Sequence, residues 1–256
     1  MGKFSGIFLY SDFDGTLSKD GKTVSPENLE AIRFFQREGG CFSMASGRPA
    51  CFFMNGQFGF IPNAPLISLG GAQVISDTDG SMLRDRPLPE EALAFIDEAA
   101  SLGTMKICRV SVGTDPLAHP WHPEEGSSPS EQFLRIPDTI YKALLVFESA
   151  EACDGARALF ARRHFPSLRG ERSWVTGFQL LHADAGKGAA LRWIRNHLPG
   201  VRLVAAAGDF ENDLSLIAEA DRSYAVANAL PEVRDAADRV TVSCQENAIA
   251  RIVEEL

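Results

Sequence analysis

The sequence predicts an α/β fold, a Rossmann-like parallel-sheet core with an inserted α+β cap domain. Three observations carry that expectation. Short apolar runs alternate with amphipathic segments near both ends of the chain. Between them the rhythm changes to hairpin and longer strand patterns. Acidic pairs follow two of the apolar runs, where open parallel sheets place their ligands.

Ile7 to Ser11 is short, apolar and bounded by polar residues, as a strand buried between helix layers must be. Ser25, Pro26 and Glu27 then supply an N-cap, a proline in the first turn and an early acid. A helix is expected from Pro26 to about Glu38, with Leu29, Ile32, Phe34 and Phe35 on its apolar stripe and Gly39 and Gly40 ending it. Strands at Cys41 to Ala45 and Pro65 to Leu69, with a helix starting near Pro49, extend the series; right-handed crossovers join such units. Phe52, Phe53, Met54, Phe58 and Phe60 read as packing residues.

Gln73 to Ser76 and Ser81 to Arg84 flank Asp77 to Gly80, a hairpin signal. Pro89 to Ser101 is expected to be helical with Leu93 and Ile96 inward. Lys106 to Val112 and Tyr141 to Phe147 read as strands, Glu151 to Arg163 as a helix, and Leu168 to Leu181 as a strand pair. Gly113 to Ile136, carrying Pro116, Pro120, Pro123 and Pro129, is expected to be one long loop, shortened only by a short helix at Ser130 to Leu134. The parallel rhythm then returns: helix Lys187 to His197, strand Val201 to Ala206, helix Glu211 to Ala218, strand Ser223 to Val226 and closing helix Gln245 to Leu256. The expected division is a core of residues 1–76 and 182–256 and a cap of residues 77–181.

Composition narrows the function. Against 34 acidic residues stand 25 basic ones, and the formal charge of −9 repels a nucleic-acid backbone. The basic stretch from Arg157 to Arg169 reads as the solvated side of a helix. No apolar run is long enough to span a bilayer, and the first residues run into a strand rather than a signal-peptide pattern, so a cytoplasmic location and no membrane partner are expected. Five cysteines without a Cys-x-x-Cys pair indicate neither a disulfide scaffold nor structural zinc. His119 and His122 have metal-like spacing but no third ligand nearby, and read as loop surface. Neither glycine-rich nucleotide signature occurs.

Asp12 and Asp14 follow the first strand. Two carboxylates at this spacing can share a hard cation, attack phosphorus and handle a proton, or simply form a turn with Gly15. Asp209 and Asp213 follow a later apolar run, four residues apart, so they can converge on one point or cap the helix they start. Ser46, before Gly47 and Arg48, offers a hydroxyl and nearby N–H groups to phosphoryl oxygens, or an N-cap. Lys187 stands at a helix start, where its charge opposes the dipole unless an anion compensates it; a solvent-exposed lysine there costs little.

Taken together, Asp12-Phe13-Asp14-Gly15-Thr16, Ser46-Gly47-Arg48, Lys187 in Gly-Lys-Gly and Gly208-Asp209-Phe210-Glu211-Asn212-Asp213 closely resemble the haloacid dehalogenase superfamily, specifically Cof-type phosphatases with a subclass IIB cap. The resemblance covers nearly the whole chain. It implies Asp12 as nucleophile, Asp14 as acid and base, and Ser46 and Lys187 as phosphoryl ligands. It implies Mg2+ held by the Asp12 carboxylate, the Asp14 carbonyl and Asp209, with Asp213 close by and Asn212 near the phosphate. Where the family commonly has Asn-Gly-Ala, this chain has Gly70-Gly71-Ala72, which removes a side chain on the substrate side.

The expected function is magnesium-dependent hydrolysis of small phosphate monoesters, with sugar phosphates foremost, through an aspartyl-phosphate. Its partner is a small phosphorylated metabolite, and the protein is a monomer or small homo-oligomer. A sugar phosphomutase and a non-catalytic phosphorylated-ligand binder are the alternatives. Substrate choice is expected to reside in the cap, with Arg109, Trp121 and His122 as candidate contacts beside Gly47 and Arg48.

Overall fold

The computed structural model of the protein describes residues 2–113 and 118–256. In chain order the elements are β1 (Ile7–Ser11), α1 (Pro26–Arg37), β2 (Cys41–Met44), α2 (Cys51–Met54), β3 (Leu66–Ser68), β4 (Gln73–Ile75) and β5 (Met82–Asp85). There follow α3 (Glu91–Ala100), β6 (Met105–Val112), β7 (Ala118–Trp121), α4 (Pro129–Phe133), β8 (Ile140–Phe147), α5 (Ala150–Arg162), β9 (Leu168–Trp174) and β10 (Gly177–His182). The chain ends with α6 (Lys187–His197), β11 (Leu203–Gly208), α7 (Leu214–Glu219), β12 (Arg222–Ala225), α8 (Pro231–Ala236), β13 (Arg239–Val240) and α9 (Ala248–Glu255).

Two compact units result, one of Met1–Arg84 with Gly186–Leu256 and one of Asp85–Ala185. The first holds the parallel sheet, in the order β13-β12-β11-β1-β2. Within it β1 is buried throughout and mostly apolar because both its faces are covered. Leu9 faces a core shared with Ile32 and Phe35 of α1 and with Ile249 and Ile252 of α9, whereas Phe8 and Tyr10 face Ala190, Leu191 and Ile194 of α6 and Leu216 of α7. Phe13, Phe53 and Phe60 join the first of these cores, and Phe52, Met54 and Phe58 pack against it, so these residues serve packing.

Several sequence expectations need correction here. Phe34 is exposed, since the inner face of α1 is taken by Asn28, Ile32 and Phe35; the Asn28 carboxamide oxygen accepts from the Ala250 N–H at 2.9 Å. The helix expected near Pro49 is one short turn, and the Ser46 hydroxyl caps the Arg48 N–H at 3.1 Å rather than a helix. β11 runs two residues further than expected, through Gly208, which puts Asp209 immediately after its end. The hairpin of β4 and β5 pairs with β3, and Arg84 donates to the Gly71 carbonyl at 3.1 Å. It therefore belongs to the first unit, and the divisions fall after Arg84 and before Gly186 rather than at 76 and 182.

The second unit is an antiparallel sheet in the order β7-β6-β8-β10-β9. Phe95 and Ile96 of α3 and Cys153 and Ala156 of α5 pack on Cys108, Val110, Leu145 and Phe178. The stretch expected as a long loop contains β7, a 3-10 turn at Pro123–Glu125 and α4, whose Ser128 and Glu131 form a reciprocal cap. Pro120 fits a strand because β7 lies at the sheet edge, where a missing N–H leaves no ladder bond unmade. Pro116 of that expected loop lies outside the described residues. None of the five cysteines forms a disulfide, and no described helix is long and apolar enough to cross a membrane.

Close backbone approach explains the glycine that follows β3. Gly71 has φ +91°, and a Cβ there would sit 2.2 Å from the carbonyl carbon and oxygen of Gly186. Gly71→Ala is therefore expected to destabilise the protein by about 2 kcal/mol or more, from backbone strain and displacement of the start of α6. Urea unfolding checks this; an unchanged midpoint would contradict the packing described.

Candidate active site

Neighbouring parallel strands bring three of the predicted residues to one edge of the sheet. Asp12 follows β1, and its N–H donates to the Ala207 carbonyl of β11 at 2.9 Å. Ala45 donates to the Ser11 carbonyl at 2.9 Å, which locks the end of β2 beside β1 and places Ser46 just beyond. Asp209 follows β11, itself in register with β1. These are the carboxyl ends of the strands, where parallel sheets gather ligands.

Lys187, the first residue of α6, is fully buried. Its ammonium donates to Asp12 Oδ1 at 2.6 Å and to Asp213 Oδ1 at 2.5 Å. The other Asp213 oxygen accepts from the N–H groups of Asp209 at 3.0 Å and Phe210 at 3.2 Å. Asp213 thus serves both roles open to it in the sequence, capping the turn and taking part in the acidic cluster. Asp209 Oδ1 accepts from the Thr16 hydroxyl at 2.9 Å. Gly15 lets this happen: with φ +83°, it leaves free a position where a Cβ would lie 2.5 Å from Asp209 Oδ2.

The electrostatics follow from burial. Removal from water, opposed by Lys187 and reinforced by Asp213, pushes the Asp12 carboxyl up to about 7. Burial and the charges of Asp12 and Asp213 push Asp209 up to about 8. Burial would lower Lys187, but the two carboxylates more than offset it and hold the ammonium above its ordinary value. Asp12, Asp209 and Asp213 bring carboxylate oxygens within 4.8 Å of one another. Crowded hard oxygen donors, two of them on buried residues, are suited to a divalent cation of the Mg2+ type, so these residues fit the ion that the sequence implied.

The other predicted residues are placed as follows. Asp14 is turned outward, its carboxylate bound bidentately by Arg48 at 2.8 and 2.5 Å. Asn212 is buried in the 3-10 turn before α7, and Gly47 is half-buried between Ser46 and Arg48. In the second unit Arg109 is exposed on β6, in register with Pro120 and Leu144. His122 is half-buried and opens the 3-10 turn, while His119 belongs to β7, not to a loop. Trp121 corrects its expectation: it is buried in the second unit's own core, and its Nε1–H donates to the Ser127 carbonyl at 2.8 Å. At 5% exposure it presents little indole surface to a substrate. Two residues escaped the sequence reading. Thr16 was visible only as part of a motif, and Asn228 only as a turn-forming residue after a strand. Asn228 donates to the Gly15 carbonyl at 2.8 Å and accepts from the Cys244 N–H at 2.8 Å, tying the loop after β1 to the C-terminal segment.

A parallel sheet with a lysine and three carboxylates at its carboxyl edge defines an α/β core with a charged ligand site where such folds carry their chemistry. The chain belongs to the haloacid dehalogenase-like hydrolase family, whose profile matches residues 9–253. It is 27% identical to the phosphoglycolate phosphatase of Methanothermobacter thermautotrophicus, across 94% of this chain and 95% of the relative. It is 22% identical to the 5-amino-6-(5-phospho-D-ribitylamino)uracil phosphatase YitU of Bacillus subtilis, across 95% of each. The fold superposes on the subclass IIB sugar phosphatase BT4131 with a TM-score of 0.78 at 18% identity, covering 97% of this chain and 98% of that one.

The raised carboxyls give a pH dependence of known sign. Both have folded values above the ordinary carboxylate value of 3.8, so the stability they contribute is full below pH 4 and is lost as the pH rises through about 7 to 8. Asp20 and Asp79, held low by local hydrogen bonds, titrate below this window. In chelator-treated protein the unfolding temperature is expected to fall from pH 5.5 to pH 8.5, and added Mg2+ to raise it more at pH 8.5 than at pH 5.5. Scanning calorimetry measures both; a metal effect independent of pH would contradict the assignment.

Proposed function

We propose that this protein is a magnesium-dependent phosphatase of small phosphate monoesters, with sugar phosphates foremost, acting through an aspartyl-phosphate on Asp12. The observation that carries this reading is the buried Lys187 ammonium shared by Asp12 and Asp213 beside Asp209. A phosphate dianion repels an attacking carboxylate, so the site must hold positive charge and fix the nucleophile. Lys187 supplies both. The relatives named as phosphatases of phosphoglycolate and of a phosphorylated ribityl compound, together with the sugar phosphatase of like fold, support small hydroxylated leaving groups.

In the first step the Asp12 oxygen not bonded to Lys187 forms a bond to phosphorus while the bond to the leaving oxygen breaks, and Asp14 gives that oxygen its proton. In the second, a water oxygen bonds to phosphorus, Asp14 takes the water proton, and the phosphorus bond to Asp12 breaks. Ser46 and Lys187 hold the phosphoryl oxygens through both steps, with Asn212 and Gly47 beside them. Asp12, the Asp14 carbonyl and Asp209 would hold Mg2+, with Asp213 in support; bound there, the ion supplies charge neutralisation to the transferring group. Arg109 and His122 remain candidate contacts for the leaving group.

Asp12→Asn keeps the volume but cannot form the acyl phosphate. Turnover of any phosphate monoester accepted by the unmodified protein is expected to fall by about 10³-fold or more, measured on protein whose circular dichroism shows it folded. Activity across a panel of sugar, glycolate and nucleotide phosphates with Mg2+ is the measurement. Phosphate trapped covalently on another residue, or no phosphate release from the panel, would remove the proposal.

A further inference from the structure

Asp14 must be free to pass a proton, yet neither of its carboxylate oxygens is free. Arg48 donates from Nε to Oδ2 at 2.8 Å and from Nη2 to Oδ1 at 2.5 Å, and the same Nη2 donates to the Gly21 carbonyl at 2.8 Å. The guanidinium also lies 4.9 Å from the Phe13 ring centre. The arrangement is built on both sides. The Arg48 N–H is capped by Ser46, and its carbonyl accepts from the Leu69 N–H at 3.2 Å and the Ser68 hydroxyl at 3.3 Å. Across from it, Gly21 has φ +67°, and a Cβ there would lie 2.6 Å from both Arg48 Nη2 and Asp14 Oδ1. With a side chain at residue 21, the ends of Arg48 and Asp14 would have to shift and the backbone there would be strained, so glycine lets the loop after β1 close over the pair as it stands.

Resting on the phosphatase reading, we propose that Arg48 is a positioning residue for Asp14. In the substrate-free site it holds both carboxylate oxygens away from proton transfer; a phosphate dianion takes over the guanidinium and releases Asp14. The exchange is feasible because the side chains of Arg48 and Asp14 are 28% and 52% exposed, and partly exposed ion pairs are weak. A phosphate offers the same planar fork a second bidentate partner, with more charge. Arg48 also follows Ser46 by two residues and reaches a group two residues from Asp12, so a short movement of one side chain changes partners.

The test is a binding cycle with inorganic phosphate as the probe, in Mg2+ at one pH, by calorimetry on the full chain. It compares the unmodified protein, Asp14→Asn, Arg48→Gln and the double variant, each checked for unchanged circular dichroism and unfolding temperature. If Arg48 must leave Asp14 to bind phosphate, Asp14→Asn tightens phosphate by about fivefold, because the binding-competent fraction rises. In the Arg48→Gln background the same change gives a smaller gain. Simple removal of a repelling charge predicts the reverse, since Asp14 is then unneutralised; an equal or larger gain without Arg48 overturns the proposal. A crystal structure of the unmodified protein with Mg2+ and phosphate is the second measurement. Arg48 on a phosphate oxygen with Asp14 released supports the exchange, and a retained bidentate pair defeats it. Failure of the unmodified protein to bind phosphate at all would instead remove the phosphatase reading, and this inference with it.

Discussion

A single ammonium, that of Lys187, sits without solvent contact between two carboxylates, and the first unit is arranged to keep it there. Burying such an ion costs several kcal/mol, which is recovered only when its partners are close and themselves hydrogen-bonded. At an effective dielectric of about 20, each opposite charge near 4 Å returns on the order of 4 kcal/mol, so two partners offset the cost where one falls short. Asp213 satisfies its second oxygen on the amides of Asp209 and Phe210, and its backbone position is set by the turn before α7. Asp12 is fixed by β11 through its own N–H. The start of α6 is brought in by Gly71, whose lack of a side chain admits the Gly186 carbonyl. Strand order, helix start and glycine placement all meet at this ammonium.

The same arrangement leaves an excess of negative charge. Asp209 has Thr16 but no direct hydrogen bond to Lys187, and its carboxyl and that of Asp12 hold protons far above the ordinary carboxylate range. Such a site is stable when protonated or when a cation replaces the protons. It is poised for an anion only in the second condition. Under the proposed function this would link metal to chemistry: a cation that relieved the carboxylate repulsion would also leave Asp12 ionised for attack.

The second unit shows how strongly context governs reading. Proline density between Gly113 and Ile136 favours a loop, yet Pro120 is accommodated on an edge strand and Pro123 and Pro129 open a 3-10 turn and a helix. Register then decides exposure. Trp121 falls opposite Cys108 on the face covered by helices, and Arg109 one step away on the other face. An aromatic side chain that looked available in sequence is thereby committed to packing, and a basic one is left in solvent.

Elements whose cause is local were legible in the sequence. α1 starts where Ser25, Pro26 and Glu27 demand it, β1 is apolar because both its faces are covered, and Asp12, Ser46, Lys187 and Asp209 stand where strands end or a helix begins. Two-residue β13 and short α8 carried too little periodicity to be seen. What lies between distant residues was not legible at all. The Arg48–Asp14 fork spans 34 positions and the Asn228–Gly15 bond 213, and no pattern within a helix turn or a strand repeat encodes either. The sequence by itself determined which chemical groups this protein possesses and at which element ends they lie. Tertiary structure decided their pairing, because hydrogen bonds and desolvation depend on distances in space that only the packed sheet and helices set.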